Sequence, residues 1–244
     1  MCELVSIIMP AFNAQNTIKE SIDSVLNQTI SDFKLYIVND ASSDNTENII
    51  RSYSDARIVY IASSINEGVS LTRNKALRVC KGKYIAFLDS DDVWEPKKLE
   101  LQLKKLNDGW DLVCANYNVF TNIDTVINRR KFPEVINFSD MLKSNYIGNL
   151  TGIYNAEKIG IVEQLPCGHE DYVMWLNIIG KTHKAYCIQE SLANYRVSKS
   201  SLSGNKVKAL KWQWSIYRDI LKFSIAKSAY YFCWYVINAI NKRA

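Results

Sequence analysis

The first 115 residues alternate short apolar runs with segments in which apolar residues recur every three or four positions. Short apolar runs predict buried strands, and the second spacing predicts one face of a helix. The runs predict strands at Val5–Met9, Phe33–Val38, Ile58–Ile61, Tyr84–Leu88 and Asp111–Ala115. The periodic segments predict helices at about 18–26, 44–53, 68–80 and 97–107. Asp44 and Glu47 are predicted to form a capping box at the start of the second of these helices. Repeated strand–helix units predict an α/β fold with a parallel sheet and helices on both faces.

Polar side chains follow three of the predicted strands. Asn13 comes after the first strand, Asp40 ends the second, and Asp89 and Asp91 end the fourth. Parallel strands end at a common edge of the sheet, and ligands of such sheets bind beyond that edge. We therefore expect these side chains to converge on one site. Residues 116–165 are less periodic and favour antiparallel strands and short helices.

Three carboxylates, those of Asp89, Asp91 and Asp92, fall within four positions after the fourth strand. Like charges 4 Å apart repel by roughly 1 kcal/mol in water, and by more where water is excluded, so a shared cation is expected. Carboxylates that bridge to a substrate phosphate suit Mg²⁺ or Mn²⁺. The alternative is a solvated turn. For Asp92 alone we favour that alternative, with its carboxylate capping the helix that follows.

The basic charge of the chain is concentrated in its last forty residues. Of the net +5, residues 205–244 contribute +7 and residues 1–204 contribute −2. The same tail carries nine aromatic residues. A basic aromatic tail can bind nucleic acid or an anionic membrane. Since no RNA-binding motif is present, we expect no nucleic-acid partner.

The most apolar part of this tail, residues 223–240, includes Lys227 and Asn238. A spanning helix needs about 20 mostly apolar residues, so we expect a helix that lies at the membrane surface. A helix packed on the core or forming a homodimer is one alternative, and a true span is the other.

The overall composition, with 244 residues of which 48% are hydrophobic, is that of one globular domain or one domain with an appendage. The six cysteines are scattered and lack Cys-x-x-Cys spacing, which is typical of a reducing compartment. The apolar run that ends at Pro10 is too short for a signal peptide, so a cytoplasmic protein is expected. A dinucleotide-binding fold and a P-loop NTPase are disfavoured, because no Gly-x-Gly occurs and the P-loop pattern is absent.

Six sequence blocks, in order, resemble those of the family-2 inverting glycosyltransferases: VSIIMPAFN at 5–13, VNDASSDNT at 38–46, NEG at 66–68 with RN at 73–74, FLDSDD at 87–92, ED at 170–171 and YRVS at 195–198. The resemblance covers about residues 4–203. It implies a GT-A fold, with a Rossmann-like, mostly parallel sheet flanked by helices and a C-terminal helical tail. Residues 1–204 would be the catalytic domain, with a nucleotide-sugar-binding half at 1–115 and an acceptor-binding half at 116–204. Residues 205–218 are similar to the tails of bacterial enzymes that build O-antigen or capsule repeat units on a lipid carrier.

The resemblance implies a role for most of the polar residues at the sheet edge. Asp40 lies where the family holds uracil, and Asp89 and Asp91 where it holds the metal, Mn²⁺ or Mg²⁺, and the diphosphate. Asn39 stands where the family frequently has an aspartate, so its contribution to uracil binding is left open. Arg73 is either a paired core residue or a ligand contact, and we expect the latter. The implied donor-binding set is Pro10, Phe12, Asn13, Asp40, Arg73, Asp89, Ser90 and Asp91.

The pair Glu170–Asp171 opens an apolar helix. Acids are common in a first helical turn because of the helix dipole, so the residues alone leave its role open. The resemblance implies that Asp171 is the catalytic base and that Glu170 orients donor or acceptor. His169 is expected to be a bystander, and Trp94 is either a sugar platform or a core residue.

Many relatives carry a histidine after the Tyr195–Arg196 block that reaches the metal or the diphosphate. Here that region is Ser-Lys-Ser-Ser at 198–201, so a histidine ligand is not available there.

Together these features predict a metal-dependent inverting transferase. It would move a hexose from a UDP-sugar, with UDP-glucose or UDP-galactose favoured, to a GlcNAc-type acceptor on undecaprenyl diphosphate. The product would be β-linked and would serve O-antigen or surface polysaccharide synthesis at the inner face of the cytoplasmic membrane. The alternative is a non-catalytic module that binds sugar nucleotides or polysaccharide.

Overall fold

The computed structural model describes residues 3–121, 125–197 and 206–241. Within these ranges the strands are β1 (Val5–Ala11), β2 (Phe33–Asn39), β3 (Ile58–Ala62), β4 (Tyr84–Phe87), β5 (Val93–Trp94), β6 (Leu112–Phe120), β7 (Val126–Arg130), β8 (Val135–Asn137), β9 (Ile153–Asn155) and β10 (Lys184–Arg196). The α-helices are α1 (Ile18–Leu26), α2 (Thr46–Arg51), α3 (Val69–Leu77), α4 (Lys98–Asn107), α5 (Phe138–Met141), α6 (Ala156–Ile159), α7 (Glu170–Thr182), α8 (Lys206–Ser215) and α9 (Ile225–Asn241).

The described strands form one sheet, whose first half is the parallel arrangement that the sequence predicts. Its main path runs β3-β2-β1-β4-β9-β6-β10-β5. β1 pairs in parallel with β2 and β4, and β2 with β3. The fifth predicted strand, β6, does not pair with β4, because the antiparallel strand β9 lies between them. β7 and β8 are also antiparallel to their partners, which confirms the prediction for residues 116–165.

The core lies on both faces of this sheet. Along β1 successive side chains alternate, so that Ile8 joins one buried cluster and Ile7 and Met9 join the other. Trp175 of α7 is fully buried, with its ring edge-on to that of Phe87 at 5.7 Å between centroids. Helix α7 is thereby packed against β4, so the two acid-bearing segments lie close together.

The C-terminal tail is helical, and its first half belongs to the core. Between α8 and α9 a π-helical stretch, Ile216–Ile220, buries Ile216 and Tyr217. The Tyr217 hydroxyl donates to the Leu142 carbonyl at 2.5 Å. The core-packing alternative therefore describes this part of the tail. Among the described residues, no helix has the length and apolarity needed to cross a bilayer.

Two predicted helix caps are wrong. Asp92 cannot cap α4, because β5 intervenes and its carboxylate accepts the backbone N–H of Arg196 at 2.8 Å. Asp44 does not form a capping box with Glu47, because its carboxylate instead accepts hydrogen bonds from the backbone and hydroxyl of Thr46.

Candidate active site

The loops after β1, β2 and β4 form one rim, as the strand ends predict. The Asp40 N–H donates to the Ala11 carbonyl at 2.8 Å, which joins the ends of β1 and β2. The Asn13 side-chain oxygen accepts the Ser43 N–H at 2.9 Å. The carbonyl of Ser90, in the loop after β4, accepts the Thr17 hydroxyl at 2.9 Å. Of the other donor-binding candidates, Pro10 is buried in β1 and Phe12 is 50% exposed.

Asp40 fixes the start of α3 and so the position of Arg73. Its two carboxylate oxygens accept the N–H groups of Glu67 and Gly68 at 3.0 and 2.9 Å. Gly68 has φ +86°, a conformation that favours glycine. Asn39 accepts the Ser42 N–H at 3.1 Å, so in this chain it shapes the loop.

Arg73 joins the two acid blocks. Its side chain is 4% exposed, and its guanidinium lies 2.5 Å from Asp89 and 3.6 Å from Glu170. It also donates to the Gln164 side-chain oxygen at 2.9 Å. Burial alone would lower the pKa of Arg73, but Asp89 and Glu170 outweigh it and raise that pKa. Arg73 is thus a paired buried residue, although its Nε has no hydrogen-bond partner among the described residues.

The loop after β4 carries more negative charge than its neighbours offset. Burial, followed by the charge of the adjacent Asp89, raises the pKa of Asp91 to about 6. Burial, followed by the charges of Asp91 and Asp89, also raises the pKa of Asp92. Arg196, in the last strand, donates to the Asp91 carbonyl at 2.7 Å and pairs with Glu20. Such a loop can accept a cation.

The same carboxylates fit a divalent ion that is shared with a substrate. Within the described ranges no three His, Cys, Asp or Glu residues are arranged to hold a metal by themselves. Mg²⁺ is usually held by one or two carboxylates together with substrate phosphates and water. Asp89 and Asp91 have this chemistry, and burial together with the charge of Asp89 disfavours a bare carboxylate at Asp91.

Glu170 and Asp171 begin α7 beside Arg73. The preceding residue, His169, has φ 60°, and its carbonyl accepts the Val173 N–H at 3.1 Å. Asp171 is partly accessible at the surface. Its removal from water by the surrounding protein raises its pKa, whereas Arg73 and His169 act to lower it. Burial and Asp171 likewise raise the pKa of Glu170. Raised pKa values strengthen both carboxylates as proton acceptors.

The structure settles the role of Trp94, which the sequence left open. Trp94 is 2% exposed and donates to the Leu150 carbonyl at 2.7 Å, so it is a core residue and not a sugar platform. The His169 ring packs 5.4 Å from that of Trp212, and its role as a bystander in the reaction stays a prediction. The segment at 198–201 lies outside the described residues.

Sequence reasoning did not single out three polar residues, namely Asn149, Tyr117 and Arg196. Asn149 is 8% exposed, and neither of its side-chain amide atoms has a partner among the described residues. Burial, with smaller contributions from Asp92 and Asp171, raises the pKa of Tyr117 to about 12. Asn149 and Tyr117 lie in the aperiodic part of the chain, where no pattern marks them. Arg196 lies in a block that the resemblance marked, but its side-chain partners are distant in sequence.

Comparisons with known proteins agree with this architecture. The family model described as "Glycosyl transferase family 2" matches residues 6–161. TuaG of Bacillus subtilis (strain 168), whose name assigns it to teichuronic acid biosynthesis, is 37% identical over 98% of this chain and 97% of its own length. WfgD of Escherichia coli, named a UDP-Glc:alpha-D-GlcNAc-diphosphoundecaprenol beta-1,3-glucosyltransferase, is 37% identical over 99% of this chain and 95% of its own length.

Among solved structures, residues 1–349 of TarS from S. aureus, in complex with UDP-GlcNAc, superpose with a TM-score of 0.77 at 18% identity. The match covers 97% of this chain and 72% of that one, and it supports the fold. The family model and the relatives together confirm the resemblance seen in the sequence blocks. The chain therefore belongs to glycosyl transferase family 2 and is a glycosyltransferase with a GT-A fold.

Proposed function

We propose that this glycosyltransferase moves a hexose, with inversion, from a UDP-sugar to a saccharide carried on a lipid diphosphate. One observation carries the proposal: buried Arg73 contacts Asp89 at 2.5 Å and lies 3.6 Å from Glu170, beside Asp171. The carboxylates suited to the donor and those suited to the acceptor thus share one site. A module that only binds sugar nucleotides would not need the second pair.

The rim after β1, β2 and β4 is proposed to hold the donor. Asp40 would accept the imide N–H of uracil, because each of its oxygens has a lone pair beyond its backbone contact. Half-exposed Phe12 would pack against the ring. Arg73, Asp89 and Asp91 would lie near the ribose and diphosphate. The remaining members of the proposed donor site are Pro10, Asn13 and Ser90.

Asp89 and Asp91 would hold Mn²⁺ or Mg²⁺. When bound, the ion supplies Lewis-acid stabilisation of the departing UDP. The protein itself contributes the buried positive charge of Arg73 beside Asp89.

Asp171 is proposed as the base. The acceptor hydroxyl oxygen attacks the anomeric carbon on the face opposite the diphosphate, and the bond from that carbon to UDP breaks as the new bond forms. The electron pair leaves with UDP, and the Asp171 carboxylate takes the hydroxyl proton. An α-linked donor therefore gives a β-linked product. Glu170, held near Arg73, would orient the donor or acceptor.

The name of WfgD supports UDP-glucose as donor and GlcNAc on undecaprenyl diphosphate as acceptor. UDP-galactose is our second choice of donor. Such an acceptor lies in a membrane, which favours a peripheral enzyme on the inner face of the cytoplasmic membrane. Helix α9 offers a suitable surface, because it exposes apolar side chains, namely Tyr230, Trp234, Ile237 and Ile240. A second copy of the chain is the alternative partner for this face.

The test measures the release of UDP when the enzyme is given UDP-glucose, Mn²⁺ and a GlcNAc-diphosphate-lipid analogue as acceptor. Asp171→Asn keeps the side-chain size but cannot accept the proton, so we expect UDP affinity to persist while transfer falls about 100-fold or more. Asp108→Asn, an exposed change at the end of α4, is the matched control and should transfer normally. Near wild-type transfer by Asp171→Asn would place the base elsewhere, with Glu170 next. Full activity in EDTA would refute the metal.

A further inference from the structure

The tail touches the turn that precedes the two catalytic acids. The indole of Trp212, in α8, packs directly on Gly168, where an added Cβ would lie 1.9 Å from Trp212 Cδ2. The Trp212 ring also lies edge-on to the His169 ring, 5.4 Å away between centroids. Residues more than forty positions apart are thus in contact immediately before Glu170.

This turn has a conformation that needs support from its surroundings. His169 has φ 60°, in the left-handed region that side chains disfavour. Its Nε2 atom is buried and has no partner among the described residues. Its carbonyl nevertheless accepts the Val173 N–H at 3.1 Å, so the orientation of the turn determines how α7 begins.

The next tail residue contacts the other side of the acid pair. Gln213 is 1% exposed, and its amide lies 3.5 Å from the hydroxyl of Tyr172. That hydroxyl donates to the Met141 carbonyl at 2.6 Å. Trp212 and Gln213 therefore contact residues on both sides of Glu170–Asp171.

We infer that Trp212 is a positioning residue, which holds the Gly168–His169 turn so that the Asp171 carboxylate faces the acceptor hydroxyl. The inference rests on the proposed role of Asp171. Catalysis depends steeply on such placement, since a shift of about 1 Å at a reacting group can cost about 100-fold in rate. On this view α8 is part of the catalytic unit as well as a link to α9.

Trp214 offers a matched control on the same helix. Its ring packs 5.5 Å from that of Phe232 in α9, so its contact lies within the tail. Trp212→Ala should lower kcat at least 30-fold with UDP-glucose, Mn²⁺ and a short-chain GlcNAc-diphosphate-lipid analogue. The donor KM and the affinity for UDP should stay within about twofold. Trp212→Phe should recover most of kcat, and Trp214→Ala should remain within threefold of wild type.

Gly168→Ala gives an independent test, because its methyl group has to displace the indole while Trp212 itself is kept. It should lower kcat as Trp212→Ala does. Wild-type kcat in either variant, or an equal loss in Trp214→Ala, would overturn the inference.

Hydrogen exchange separates this inference from the proposed function, since it needs no turnover. Amides at 170–173 should exchange faster in Trp212→Ala than in wild type or Trp214→Ala, and unchanged exchange would overturn the inference. If Asp171→Asn transfers normally but exchange in Trp212→Ala rises, the assignment of the base fails while the support of the turn stands.

Discussion

Replacing Arg73 with methionine removes a buried cation that contacts two acids of the site and keeps most of the volume of the side chain. Breaking a fully buried ion pair costs about 3–5 kcal/mol. The partners of Arg73 are Asp89 and Glu170, which are 31% and 22% exposed. Because water can reach both carboxylates, the lower end of that range applies. Gln164 also loses a donor, so we expect a loss of about 3 kcal/mol in the free energy of unfolding.

Urea unfolding, followed by tryptophan fluorescence, measures this loss. With a slope near 3 kcal/mol per M, the midpoint should fall by about 1 M. Arg78→Met is the control, because Arg78 directly follows the helix that carries Arg73, α3, and pairs with Glu163 at the surface. Exposed pairs contribute about 1 kcal/mol or less, so the midpoint of Arg78→Met should move by roughly 0.3 M at most. Equal midpoints for the two variants would refute the reasoning that Arg73 holds the acid blocks together.

Three further predictions follow from the site and the tail. Asp40→Ala should weaken UDP binding by about 1–3 kcal/mol, measured by calorimetry, and should reduce the preference for UDP over CDP. Equal affinities of the wild type for UDP and CDP would contradict a uracil contact. Burial raises the pKa of Asp171, and a catalytic base must be ionised. On acidification kcat should therefore fall with a midpoint pH above the usual aspartate pKa of about 3.9. A midpoint pH at or below that value would contradict the assignment of Asp171 as the base. The double variant Trp234→Ser, Ile237→Ser should sediment less with anionic vesicles than the wild type. High salt should partly release the wild type, because each Lys or Arg near an anionic membrane adds roughly 1 kcal/mol to binding. Unchanged sedimentation of the double variant would favour a second copy of the chain on this face.

The parallel half of the fold is predictable from sequence because its strands are continuous apolar runs. In β1 every residue is buried, and the polar residues that follow it reach the rim by strand geometry alone. β9 escapes prediction because it has three residues and owes its place to pairing with β4 and β6.

The contacts within the site are harder to predict, because they join residues far apart in the chain. The sequence predicts Asp92 as a helix cap, but its carboxylate accepts the backbone N–H of Arg196, 104 positions later. Trp212 carries no signal of its contact with Gly168, since aromatic residues are frequent throughout the tail. Local patterns therefore locate the acids, whereas packing determines what holds them in place.

The most direct test of the proposed function is the anomeric configuration of the product. The enzyme is incubated with UDP-glucose, Mn²⁺ and a GlcNAc-diphosphate-lipid analogue, and the coupling constant of the new anomeric proton is measured by NMR. Attack opposite the diphosphate, with Asp171 as base, predicts a β-linked product. An α-linked product would contradict inversion at this site, and no product from any UDP-hexose would contradict the proposed donor class.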